Sequence, residues 1–75
     1  MDHHLRVVLV EDEIPVRAYI QHLLESLGCI VDCVDIVDMT RLSRAAVTAD
    51  LVLLDTTLPG VDVGSVLLKL RQCCI

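Results

Sequence analysis

Three carboxylates stand where chemistry could be done. Asp55 ends the run Leu51-Val52-Leu53-Leu54, and Glu11-Asp12 ends the run Val7-Val8-Leu9-Val10. An apolar run without alternation, bounded by turn signals such as Pro59-Gly60, reads as a strand buried on both faces of a parallel sheet. The carboxyl ends of such strands are where open α/β sheets place their ligands. Acids gathered from two neighbouring strand ends repel one another, and some of them should have raised pKa values. A hard divalent cation relieves that repulsion. Mg²⁺ prefers oxygen ligands, keeps several waters and bridges carboxylates to phosphate. In that setting a carboxylate can attack a phosphoryl group and become an acyl phosphate, with positioning and charge neutralisation as the main demands on the protein. A plainer reading makes Glu11-Asp12-Glu13 a charged helix start and Asp55 a turn residue before Pro59. Acids at both strand ends, in this order, favour the chemical reading.

The elements that must position these residues follow from the pattern. Arg6 to Val10 reads as the first strand. Ile14-Pro15 suits a first helical turn, with Asp12 or Glu13 as its cap. Val16, Ile20, Leu23, Leu24 and Leu27 then fall on one face of an amphipathic helix, with Arg17, Gln21 and Glu25 outside. Gly28 follows where a helix-ending glycine belongs. Cys29 to Val34 reads as a short second strand, and about Asp38 to Val47 as a second helix with Leu42, Ala45 and Ala46 inward. Ala49-Asp50 opens the strand that ends in Asp55. Val63, Val66, Leu67 and Leu70 mark a third helix, with Lys69 and Arg71 near its C-terminal end. The order is βαβαβα. Short right-handed crossovers of this kind give a parallel sheet. Glu-Asp-Glu stands where a dinucleotide fold would carry GxGxxG, which excludes a Rossmann cofactor site.

Composition narrows the classes. The chain has 75 residues, 55% of them hydrophobic, with Tyr19 as its only aromatic. That is one domain at most, able to bury only about 60% of its unfolded surface. A net charge of −5 argues against non-specific nucleic-acid binding. No apolar run approaches the roughly 20 residues of a membrane span, and the start lacks a signal peptide's basic and apolar regions. The expectation is a cytoplasmic protein with reduced thiols. Cys29, Cys33, Cys73 and Cys74 form no CxxC pair and read as small hydrophobes ahead of a metal site or redox switch. His22 reads as a solvated residue, and His3 and His4 as part of a loose terminus.

With these residues in place, the chain resembles the receiver domain of two-component response regulators, the CheY-like group. Val7-Val8-Leu9-Val10-Glu11-Asp12-Glu13 matches that family's first strand and acidic pair. Leu51-Val52-Leu53-Leu54-Asp55, then Leu58-Pro59-Gly60-Val61-Asp62, matches its phosphoacceptor strand and the following loop. The similarity spans about Leu5 to Arg71. The expected domain is 5–72, with tails at 1–4 and 73–75. The resemblance implies a flavodoxin-like fold, here its N-terminal part: a three-stranded parallel sheet in order 2-1-3. It implies that Asp55 accepts a phosphoryl group from a sensor histidine kinase or phosphotransfer protein. Asp12 would ligate Mg²⁺ directly, Glu11 partly through water, and Asp55 itself and the carbonyl of Thr57 would be further ligands. Pro59 and Gly60 would shape the loop. Such a module has no catalytic turnover of its own.

Three departures accompany the match. Val63 separates Asp62 from Gly64, where the family has glycine directly after the aspartate. The second helix lacks the family's Gly-x-Glu-Ala start. The strands that bring a switch Ser/Thr and a phosphate-binding Lys in the family have no counterpart, and Lys69, the only lysine, falls on the third helix. The Asp55 strand then becomes a sheet edge, so self-association through it is expected, as is poor stability of the lone chain. Two other readings are an interaction or dimerisation module that never carries phosphate, and a Mg²⁺-dependent phosphatase of the haloacid-dehalogenase type. The second needs an aspartate two residues after the nucleophile, where this chain has Thr57.

Overall fold

The computed structural model describes residues 4–55 and 62–73. The elements alternate as β1 (Arg6–Val10), α1 (Ile14–Ser26), β2 (Ile30–Cys33), α2 (Met39–Thr48), β3 (Leu51–Leu54) and α3 (Val63–Cys73). The three strands form one parallel sheet in order β2-β1-β3. The expected α/β class, element order and strand order are all present.

β1 is central and has the most continuous burial. Val7, Val8, Leu9 and Val10 are each 1–2% exposed, because helices cover both sides of it. Val8 and Val10 point to one face and pack with Val34, Leu42, Ala46 and Val66 from β2's end, α2 and α3. Val7 and Leu9 point to the other face, beneath α1. Leu42 has no exposed surface and is the pivot of the core.

α2 is well specified locally. Asp38 caps it, accepting from the Arg41 N–H at 3.1 Å. Arg41 then reaches Asp32 on β2, with 2.8 Å between Nη2 and Oδ1. Leu42 and Ala46 face the core as expected, with Ala45 half-buried.

α1 forms as expected but does not bury its apolar stripe. None of its residues is fully buried. Ile20 and Leu24 are half-buried, whereas Val16, Leu23 and Leu27 are exposed. Arg17 and Gln21, expected outside, are half-buried, and Gln21 Oε1 accepts from the Cys33 thiol at 3.3 Å. The helix is therefore rolled toward β2, and one flank of its stripe is left exposed. The expected side-chain cap is also absent: Glu13 occupies the cap position without a side-chain bond, and its carbonyl accepts from the Arg17 N–H at 2.8 Å.

α1 ends as the sequence dictates. Gly28 has φ of +89°. Its N–H donates to the Glu25 carbonyl at 3.0 Å, and the Cys29 N–H reaches back to Leu24 at 3.1 Å, a Schellman closure. A Cβ at Gly28 would meet nothing within 4 Å, so only backbone strain opposes a side chain there. Gly28→Ala should therefore lower stability by about 1 kcal/mol, read as a shift in the urea midpoint.

Burial and the Asp32 carboxylate weaken ionisation of the half-buried Cys33 thiol. Burial is the larger effect, and together they outweigh the opposing pull of Arg17. Iodoacetamide should accordingly label Cys33 more slowly than a free cysteine at mildly alkaline pH, and at the free rate once urea unfolds the chain. Peptide mapping of the labelled protein reads both rates.

β3 is less buried than its composition suggests. Leu51 is 44% exposed and Val52, Leu53 and Leu54 are only half-buried. β3 pairs with β1 on one side and lies at the sheet edge, so the expectation of burial on both faces fails for this strand and holds for β1.

Candidate functional site

Hydrogen bonds at both ends of the β1–β3 pair fix the register that places Asp55. At the start, Asp50 Oδ2 accepts from the Arg6 N–H at 2.7 Å, and the Asp50 N–H donates to the Arg6 carbonyl at 2.8 Å. At the finish, the Asp55 N–H donates to the Val10 carbonyl at 3.1 Å. Val10 is the residue before Glu11. The last rung of the ladder thus holds Asp55 beside the acidic pair.

The three side chains converge. One carboxylate oxygen from each of Glu11, Asp12 and Asp55 can be chosen so that all lie within 4.8 Å of one another. Asp12 is exposed, and Glu11 and Asp55 are half-buried. The Glu13 N–H donates to Glu11 Oε1 at 3.2 Å, which favours the ionised form. Desolvation and the neighbouring Asp55 and Asp12 carboxyls oppose it and prevail, so Glu11 holds its proton above the ordinary carboxylate range. This is the repulsion expected of strand-end acids brought together.

The donor set suits Mg²⁺. Three hard oxygen donors at one point, partly open to water, match a cation that binds through a few carboxylates and retains waters. A cavity of about 100 Å³ opens beside Glu11 and Asp12, lined also by Val10, Arg17, Asp35 and Ile36. That is room for several waters. Arg17 and Asp35 were not expected here. Arg17 was assigned to the outer face of α1, and only the roll of the helix brings it to the cavity. Asp35 lies two residues past the end of β2 and lines the same cavity as Glu11.

Thr57, Pro59 and Gly60 lie outside the described residues, and so does the expected loop role of the last two. Beyond that loop, Asp62 starts α3. Its Oδ2 accepts from the Ser65 hydroxyl at 2.9 Å and its Oδ1 from the Gly64 N–H at 3.1 Å. The Ser65 contact is the larger of the influences that hold the Asp62 carboxyl below its usual range. Sequence reading had matched Asp62 to a motif and missed this capping role, which Asp-x-x-Ser before an apolar helix could have signalled.

Compared with known proteins, the chain matches no family model, no curated protein and no solved structure.

Proposed function

We propose that this chain is a receiver-type module, with the N-terminal part of a flavodoxin-like fold, that accepts a phosphoryl group on Asp55. One observation carries the reading: Glu11, Asp12 and Asp55 meet within 4.8 Å at the carboxyl ends of adjacent parallel strands. A fixed carboxylate beside two more acids is a poor arrangement for stability and a good one for phosphoryl transfer.

The residues divide the task. An Asp55 carboxylate oxygen attacks the phosphorus of a phosphohistidine on a partner kinase or phosphotransfer protein. A new O–P bond forms, the N–P bond breaks, and the departing imidazole keeps the electron pair. The backbone bond from the Asp55 N–H to Val10 fixes the strand end that carries the nucleophile. Asp12 and Glu11, with the Thr57 carbonyl, would hold Mg²⁺. When bound, the ion supplies the positive charge that the transferring phosphoryl oxygens need. Desolvation, with the neighbouring Asp55 and Asp12 carboxyls, raises Glu11's pKa, and a cation would relieve the part due to those neighbours.

A site-specific test follows from acyl phosphate chemistry. The folded chain is incubated with Mg²⁺ and acetyl phosphate, then reduced with borohydride, which converts an aspartyl phosphate to homoserine. Homoserine at position 55 is the expected product. Reduction product at another acid, or at none, would remove Asp55 from its role.

A second reading, an interaction module independent of phosphate, draws on a separate observation: the exposed apolar side chains of α1.

A further inference from the structure

Helices that follow parallel strands start at the carboxyl end of the sheet, so basic residues early in them lie near the acidic end. Arg17 on α1 and Arg41 on α2 are placed this way. Arg41 is committed elsewhere: it pairs with Asp32 at 2.8 Å and donates to the Cys33 carbonyl at 3.4 Å. Arg17 lines the cavity of about 100 Å³ together with Glu11, Asp12 and Asp35. Among the described residues its guanidinium has no ion-pair or hydrogen-bond partner. Yet the residue is half-buried, and its charge is felt at the Cys33 thiol on β2.

That is a costly place for an unpaired cation, because burying charge is unfavourable unless an opposite charge meets it. Glu11, Asp12 and Asp35 line the same cavity, but none comes within ion-pair distance of Arg17. The carboxylates, for their part, oppose any anionic substrate. Glu11, Asp12, Glu13, Asp35, Asp55 and Asp62 all stand at this end of a chain with a net charge of −5. A phosphoryl donor is itself an anion and must approach against that field. Mg²⁺ would offset part of it, and Arg17 is the protein's own positive charge at the same place.

Resting on the phosphoryl-accepting reading, we infer that Arg17 receives the anionic phosphoryl donor: its guanidinium meets the donor's oxygens while the Asp55 carboxylate attacks. Glu11 and Asp12 belong both to the cavity that Arg17 lines and to the cluster within 4.8 Å that includes Asp55. Arg17 and the nucleophile therefore flank the acidic pair, one from the β2 side and one from the β3 side. A donor seated over that pair meets both. The free N–H groups of a guanidinium suit phosphoryl oxygens. With acetyl phosphate as donor, the Asp55 oxygen forms the new O–P bond, and acetate leaves with the electron pair of the bond that breaks.

One substitution should then have two opposite effects. The Arg17 charge attracts the donor and repels Mg²⁺ from Glu11 and Asp12. Removing that charge should weaken the response to donor and strengthen the response to cation. Loss of a side chain that merely props α1 against the sheet would weaken both.

The full chain is compared as wild type, Arg17→Gln and Arg17→Lys. Intact mass gives the rate of phosphoryl gain across an acetyl phosphate series. The rise in melting temperature gives the half-saturating Mg²⁺ concentration with no transfer involved. Arg17→Gln should need about ten-fold more acetyl phosphate for half its maximal rate, and about three-fold less Mg²⁺ for half-saturation. Arg17→Lys, which keeps the charge, should return both toward the wild-type values. An unchanged requirement for either in Arg17→Gln, a weakened response to both, or no recovery in Arg17→Lys would overturn the inference while leaving Asp55 as the acceptor. A wild type that gains no phosphoryl group would overturn the phosphoryl-accepting reading itself, and the role of Arg17 with it.

Discussion

Leu42→Ala should remove a large part of this protein's stability. Leu42 has no exposed surface and touches the packed cluster of Val8, Val10, Val34, Ala46 and Val66. A leucine truncated in such a site leaves a cavity and costs about 3–5 kcal/mol. A domain of this size has a total stability of only about 4–11 kcal/mol. With a urea slope of about 1–3 kcal/mol/M, the midpoint should fall by more than about 1 M. Leu27→Ala is the informative partner. Leu27 is 73% exposed, so its truncation should change stability by less than about 0.5 kcal/mol. Circular dichroism through urea titrations at low concentration, where copies are apart, reads both. Equal losses would mean that α1 is packed as its periodicity suggested and not as the structure has it.

Asp12→Asn should act in opposite directions with and without Mg²⁺. In the absence of divalent cations it removes one charge from three crowded carboxylates, so the variant should melt at a higher temperature than the wild type. With the cation present the order should reverse. A ligand at a hundred times its dissociation constant stabilises a fold by about 2.7 kcal/mol, and the loss of a charged ligand should weaken Mg²⁺ binding at least about ten-fold. The wild type should therefore gain thermal stability from Mg²⁺ that Asp12→Asn does not. Calcium-free thermal melts across a Mg²⁺ titration provide the measurement. Parallel responses of the two proteins would show that these acids do not act together on a cation.

The parts of this architecture that depend on local pattern were legible in the sequence. Val7 to Val10 is apolar without alternation and is the strand buried on both faces. Gly28 takes the positive φ its place after a helix suggested, and α2 spans Met39–Thr48, close to the expected 38–47. The convergence of Glu11, Asp12 and Asp55 was also legible, because strand ends in a parallel sheet necessarily share an edge. The misread features depend on what lies across from an element. Leu51 to Leu54 carries the same apolar signal as β1, yet position at the sheet edge leaves Leu51 open. The stripe of α1 is genuine, but periodicity specifies a face and not what covers it. Arg17 and Gln21 turned inward because α1 leans on β2, a packing choice that no spacing within the helix encodes. Asp35 went unremarked at the site because it lies two residues past the end of β2, in a stretch read only as polar.

The most direct measurement is the rate at which the intact chain gains mass from acetyl phosphate, with Mg²⁺ and with chelator, in the wild type and in Asp55→Asn and Asp12→Asn. The expected result is one phosphoryl group on the wild type with Mg²⁺ and none with chelator. Asp55→Asn should gain none under either condition, and Asp12→Asn should gain it much more slowly. A folded wild type that gains no phosphoryl group, or an Asp55→Asn protein that gains as much as the wild type, would contradict a phosphoryl-accepting site at these three carboxylates.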